Sequence, residues 1–109
     1  MERAVIVYVT FPSLPEAERI GRAAVERRLA ACVNILPGMV SFYWWEGALE
    51  RGEEVVAIFK TRASCAERLA AAVKEMHPYT TPAIVTLPIE GGDASYLQWL
   101  ATETREEAE

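Results

Sequence analysis

Shifted by 51 positions, the sequence aligns with itself. "VYVTFPSLPE" from Val7 meets "IFKTRASCAE" from Ile58, pairing Thr10 with Thr61, Ser13 with Ser64 and Glu16 with Glu67. Further on, "CVNILP" meets "AIVTLP", so that Leu36-Pro37 falls on Leu87-Pro88. Identities are few, but a recurrence at this spacing marks a supersecondary unit used twice.

Each unit carries the same physical plan. An apolar run leads into S-x-x-E, Ser13 to Glu16 in the first unit and Ser64 to Glu67 in the second. That pattern predicts a capping box, in which the Ser and Glu side chains satisfy backbone N–H groups at a helix start. Beyond the second box, Cys65, Leu69, Ala72, Val73 and Met76 fall on one helical face, which stops at His77-Pro78. The first helix carries Ala17, Ile20, Gly21, Ala24, Val25 and Leu29. Strands are predicted at Ala4–Phe11 and Cys32–Trp45 around the first helix, and at Val55–Thr61 and Ala83–Ile89 around the second.

The order βαβ–βαβ is the split plan of an α+β, ferredoxin-like βαββαβ sandwich. Proline fixes which strands are central. "AVIVYV" and "VVAIF" run without it, whereas Pro37 and Pro88 interrupt the other two strands. Proline cannot donate to a ladder, so those two belong at the sheet edges. A third, C-terminal helix follows, with Asp93 as its cap and Tyr96, Leu97 and Leu100 as apolar contacts. The chain is read as one domain over 1–109, and its polar tail, 102–109, is expected to fray.

Composition narrows the function classes. With a net charge of −5 and only one basic pair, Arg27-Arg28, the chain lacks the footprint of a nucleic-acid or anionic-membrane binder. No stretch approaches the roughly 20 apolar residues of a spanning helix, and the short run "AVIVYVTF" does not read as a secretory signal. Cys32 and Cys65 form no CxxC pattern and suit free thiols in a reducing compartment. A cytoplasmic protein is expected. There is no nucleophile–base motif and no Gly-rich phosphate loop. "TFPSLPE" lacks the basic, anion-cradling loop of an acylphosphatase, and the RNA-binding signature of an RRM is missing. The chain is therefore read as a non-enzyme.

"SFYWWEGALERGEEVVAIFKT" sets Phe42, Tyr43, Trp44 and Trp45 side by side before a run of charge. A strand over 32–45 is about 45 Å long, whereas a first helix of about 16 residues covers only about 25 Å. The second and third strands must then overhang the helical layer as a long hairpin arm. Alternation sends Phe42 and Trp44 to one face of it and Tyr43 and Trp45 to the other. Four rings of about 150–250 Å² each exceed the largest apolar patch a monomer ordinarily exposes. The arm, and edge strands with open ladder groups, call for a neighbouring copy of the chain. A fold-back at Pro37-Gly38, covering the rings within one chain, is the alternative.

"LAACVNILPG", "SFYWWEGALERGEEVVAIFKT", "MHPYTTPAIVTLPI" and "GDASYLQWL" resemble, in order and spacing, hallmarks of the CutA divalent-cation-tolerance family. The resemblance runs from about Val5 to Thr102. It implies a tight homotrimer similar in architecture to PII signalling proteins, with Phe42, Tyr43 and Trp44 at the trimer interface. It also implies a link to copper and other divalent metals. Of the metal ligands proposed in some members, His77 and Cys32 carry over. Val9 stands where those members have a cysteine, and Met76 where they have a second histidine. The expected metal is a divalent or cuprous ion, copper or zinc.

Two readings stay open at this point. His77 and Cys32 contact a metal, or an inter-subunit cleft built from Tyr79, Lys60, Trp45 and Glu46 takes a small anion or a partner protein. Plainer roles stand beside them: His77 capping a helix end, Cys32 as a buried small hydrophobe, and Lys60 salt-bridged to Glu46 or Glu90.

Overall fold

A computed structural model describes residues 2–105. The elements run β1 (Ala4–Phe11), α1 (Leu14–Glu26), β2 (Cys32–Trp45), β3 (Ala48–Arg62), α2 (Ala66–Met76), β4 (Ile84–Pro88) and α3 (Ala94–Thr102), with a short 3₁₀ turn at Ala63–Cys65. The sheet is antiparallel in the order β2-β3-β1-β4. The Pro-free runs are indeed the central strands, and Pro37 and Pro88 lie on the two edges.

One face of the sheet is covered by α1 and α2. Val7, Val9 and Phe11 of β1 and Val55, Ala57 and Phe59 of β3 meet Ile20 and Ala24 of α1 and Leu69 and Val73 of α2. Thr61, also buried, donates its hydroxyl to the Leu29 carbonyl at 2.7 Å, so the core holds no unsatisfied polar group there. The opposite face is largely open: Leu36, Val85 and Leu87 are about half exposed. Only α3 crosses one end of it, where Leu100 is fully buried.

Past Leu36 the β2–β3 ladder slips by one residue, since Leu36 pairs with Val56 but Met39 with Glu54. Gly38, at φ 85°, takes up the extra residue in a conformation that glycine adopts without strain. The strand bends at Pro37-Gly38 but does not fold back. Pairing continues to Trp45↔Ala48, closed by a two-residue turn in which Glu46 and Gly47 both have positive φ. β3 therefore begins at Ala48 rather than near Val55, because its first half is paired arm. The chain spans 45 Å along its longest axis, as the overhang requires.

Three local expectations need correction. Neither S-x-x-E stretch forms a capping box. Ser13 donates instead to the Glu16 carboxylate at 3.1 Å, beside Pro15, which has no N–H to offer. In the second half the 3₁₀ turn displaces the helix start, so Cys65 occupies the cap position and the Ser64 N–H meets the Glu2 carboxylate. The tail does not fray where it is described: Thr104 is only 2% exposed and Arg105 is bonded on both sides of its backbone. Residues 106–109 lie outside the described residues.

Candidate functional site

Alternation along the central strands makes two polar clusters, at opposite ends of the sheet. At the α3 end, Cys32 and Lys60 are register partners on the open face. Their side chains converge on Tyr96, which α3 presents one turn after its cap, Asp93, whose carboxylate accepts the Tyr96 N–H at 3.0 Å. Lys60 Nζ donates to the Tyr96 hydroxyl at 3.2 Å, and Cys32 Sγ lies 3.6 Å from the same oxygen. Trp99 stands beside the Tyr96 ring, centroids 5.6 Å apart. Neither Glu46 nor Glu90 pairs with Lys60; a phenol has taken the place of the expected carboxylate. An ammonium at hydrogen-bond distance from the shared hydroxyl makes this cluster hospitable to an anion and poor for a second cation.

At the other end, His77 is 7% exposed and reaches from the end of α2 to β1. Its Nδ1 accepts the Tyr79 N–H at 3.1 Å. Its Nε2 faces the Thr10 carbonyl at 2.8 Å, and because a carbonyl only accepts, Nε2 carries the proton. The ring also stacks on Phe11, centroids 4.7 Å apart at 17°. Both nitrogens are therefore spent on backbone groups. His77 pins the last turn of α2 to the sheet. Tyr79, alongside, has its hydroxyl pKa pushed up, first by burial and then by the negative fields of Glu54, Tyr43 and Glu16.

The structure does not bring His77 and Cys32 together. Cys32 lies level with Lys60 and Ile6, and His77 with Thr10, four residues further along β1, or about 13 Å. Among the described residues no three His, Cys, Asp or Glu side chains gather as a metal-binding group. The described residues of one chain do not by themselves assemble a site for a resident metal ion. The cleft set is split too: Trp45 and Glu46 are at the arm tip, Tyr79 is near the arm base, and Lys60 is twelve residues along β3 from the tip. Trp45 and Lys60 can share a cleft only when contributed by different copies of the chain. The arm is uncovered: Phe42 and Trp44 are 68% and 72% exposed, and Trp45 and Tyr43 are 61% and 44% exposed. The Tyr43 ring lies over Gly52, whose lack of a side chain admits it.

Sequence reasoning placed Tyr96 only as an apolar contact of α3 and passed over Thr10. Lys60, a lone base in an apolar strand, was the available signal that a polar partner had to exist.

The signature of the CutA1 divalent ion tolerance proteins matches residues 5–103. The chain belongs to the CutA family. A crystal structure of CutA1 from Oryza sativa superposes with a TM-score of 0.94 and 42% identity, covering 97% of both chains. A structure described as the periplasmic divalent cation tolerance protein CutA from Archaeoglobus fulgidus gives 0.88 and 46% identity, covering 92% of this chain and 97% of that one. The rice protein named "Protein CutA 1, chloroplastic" is 44% identical over 103 residues, 94% of this chain. The chain spans 58% of that relative's length. The mixed α/β sandwich, with its four-stranded antiparallel sheet, is thus the CutA architecture.

Proposed function

We propose that the chain is a single-domain, ferredoxin-like CutA protein that works as a homotrimer in divalent-cation tolerance of the copper type, meeting metal weakly or indirectly. Its family membership over residues 5–103 carries this reading. It acts without catalysing a reaction, in the cytoplasm, and without nucleic-acid or membrane partners. Among the described residues no helix is long and apolar enough to cross a membrane. Relatives are described as chloroplastic and as periplasmic.

The trimer is supported by the uncovered rings of the arm and by the open sheet face with Leu36, Val85 and Leu87. Phe42, Tyr43 and Trp44 are its interface residues. Direct metal contact, if made, falls to His77 and Cys32. Because both His77 nitrogens are engaged and Cys32 lies near an ammonium, that contact is weak. A second reading, a PII-like scaffold, rests on Lys60. No ion pair to Lys60 exists among the described residues, and it sits beside the Tyr96 hydroxyl. Its inter-subunit cleft, with Tyr79, Trp45 and Glu46, takes a small anion or an acidic segment of a partner protein.

Calorimetric titration with copper and with zinc tests the metal reading. Weak heats, nearly unchanged in His77→Ala and Cys32→Ser, are expected. Tight stoichiometric binding lost in either variant, with its melting transition retained, would replace the indirect role by a true metal centre.

A further inference from the structure

Lys60 belongs to a row of residues that crosses the open face of the sheet. Cys32 on β2, Lys60 on β3, Ile6 on β1 and Leu87 on β4 are successive register partners. None of its neighbours in that row is acidic. Two residues further along the same face of β3, about 7 Å away, comes a second positive charge, Arg62, which is engaged with Glu2 and Thr104. The half-buried Lys60 has no carboxylate partner among the described residues. Its Nζ meets the Tyr96 hydroxyl and lies 5.4 Å from the centroid of the same ring.

The hydrogens of this cluster outnumber its acceptors. An ammonium brings three N–H donors and no acceptor, while a phenol and a thiol bring one donor each. Lys60 donates to the Tyr96 oxygen at 3.2 Å, so the phenolic hydrogen turns away from Lys60, toward Cys32 Sγ at 3.6 Å or outward. In either arrangement the ammonium keeps N–H groups that no protein acceptor uses among the described residues. A ligand that only accepts, an oxyanion, matches this surplus, and hydrogen bonds between ions are the strong ones. Beside the charge lies flat apolar surface. The Tyr96 and Trp99 rings, tilted by 30° to each other, are 40% and 42% exposed.

We propose that Lys60, Tyr96 and Cys32 of one chain form a binding site for a small planar carboxylate. The carboxylate accepts from the Lys60 ammonium and from the Tyr96 hydroxyl, and the flat body of the ligand lies on the Tyr96–Trp99 pair. This rests on the anion reading of Lys60 and goes beyond it. The donors come from a single chain, Tyr79, Trp45 and Glu46 are not needed to hold the anion, and α3 supplies both the second donor and the aromatic wall.

Lys60 and Lys74 are the only lysines in the chain, so lysine labelled with ¹³C at Cε gives one reporter in the site and one control on α2. Titration of the full-length protein with benzoate at low ionic strength is expected to move the Lys60 signal saturably and leave Lys74 in place. Acetate, which lacks the ring, should bind about tenfold more weakly. Tyr96→Phe keeps the ring beside Trp99 and removes one donor to the anion; it should weaken benzoate about tenfold with the melting transition retained. Equal affinity for acetate and benzoate would overturn the ligand class, and that comparison needs no variant. Undiminished benzoate binding in Tyr96→Phe would leave an anion on Lys60, as the cleft reading has it, and overturn the site assigned to Tyr96. The absence of any saturable Lys60 shift, with inorganic phosphate as well as the two carboxylates, would overturn both.

Discussion

Replacing Phe42 and Trp44 together by serine is expected to take the proposed trimer apart and to remove most of its stability at working concentrations. Both rings stand on one face of the arm, more than two-thirds exposed in the single chain. On an isolated chain such substitutions would fall within about ±0.5 kcal/mol, as surface changes usually do. Buried against a neighbour, each ring contributes roughly 2–3 kcal/mol, and a trimer makes that contact three times. The expected result is a monomeric or unfolded species in sedimentation, with a lowered melting midpoint that no longer varies with protein concentration. A folded assembly of unchanged size and midpoint would show that the rings are ornaments of a monomer's surface.

The second large effect lies in the core. Phe59 is fully buried in the second half of β3, the strand that pairs with both β1 and β2. Phe59→Ala is expected to cost about 3–5 kcal/mol per chain, from lost transfer energy and the cavity left behind. The loss should appear as a lower denaturant midpoint with little change in slope. It should be felt at the arm as well, since β3 runs unbroken from Ala48 to Arg62 through both. A cost below about 1 kcal/mol would mean that β1 and the helices collapse into the space.

What was legible in the sequence follows from which forces act locally. Central and edge strands could be told apart because proline at 37 and 88 removes a ladder donor whatever surrounds it. The arm could be read because pleat alternation and residue rise are fixed by backbone geometry. The Asp93 cap of α3 could be read as well, but the capping boxes at Ser13 and Ser64 could not, because Ser13 turns to the Glu16 carboxylate and a 3₁₀ turn at Ala63–Cys65 moves the second helix start to Cys65. Nor could the docking of Thr104 and Arg105, whose partners Arg28, Arg62, Cys65 and Arg68 lie 37 to 77 positions away. The site was legible in its members but not in its grouping. Lys60 and Cys32 were named, yet their meeting at Tyr96 depends on where α3 crosses the sheet.

The claim on which the rest depends is that this chain folds and associates in one step, because its arm and open sheet face have too much apolar surface to stand in water. Sedimentation equilibrium of the wild-type protein at micromolar concentration tests this most directly. A single species of three times the chain mass, with dissociation appearing only together with unfolding, is predicted. A stable, folded monomer under those conditions would contradict it.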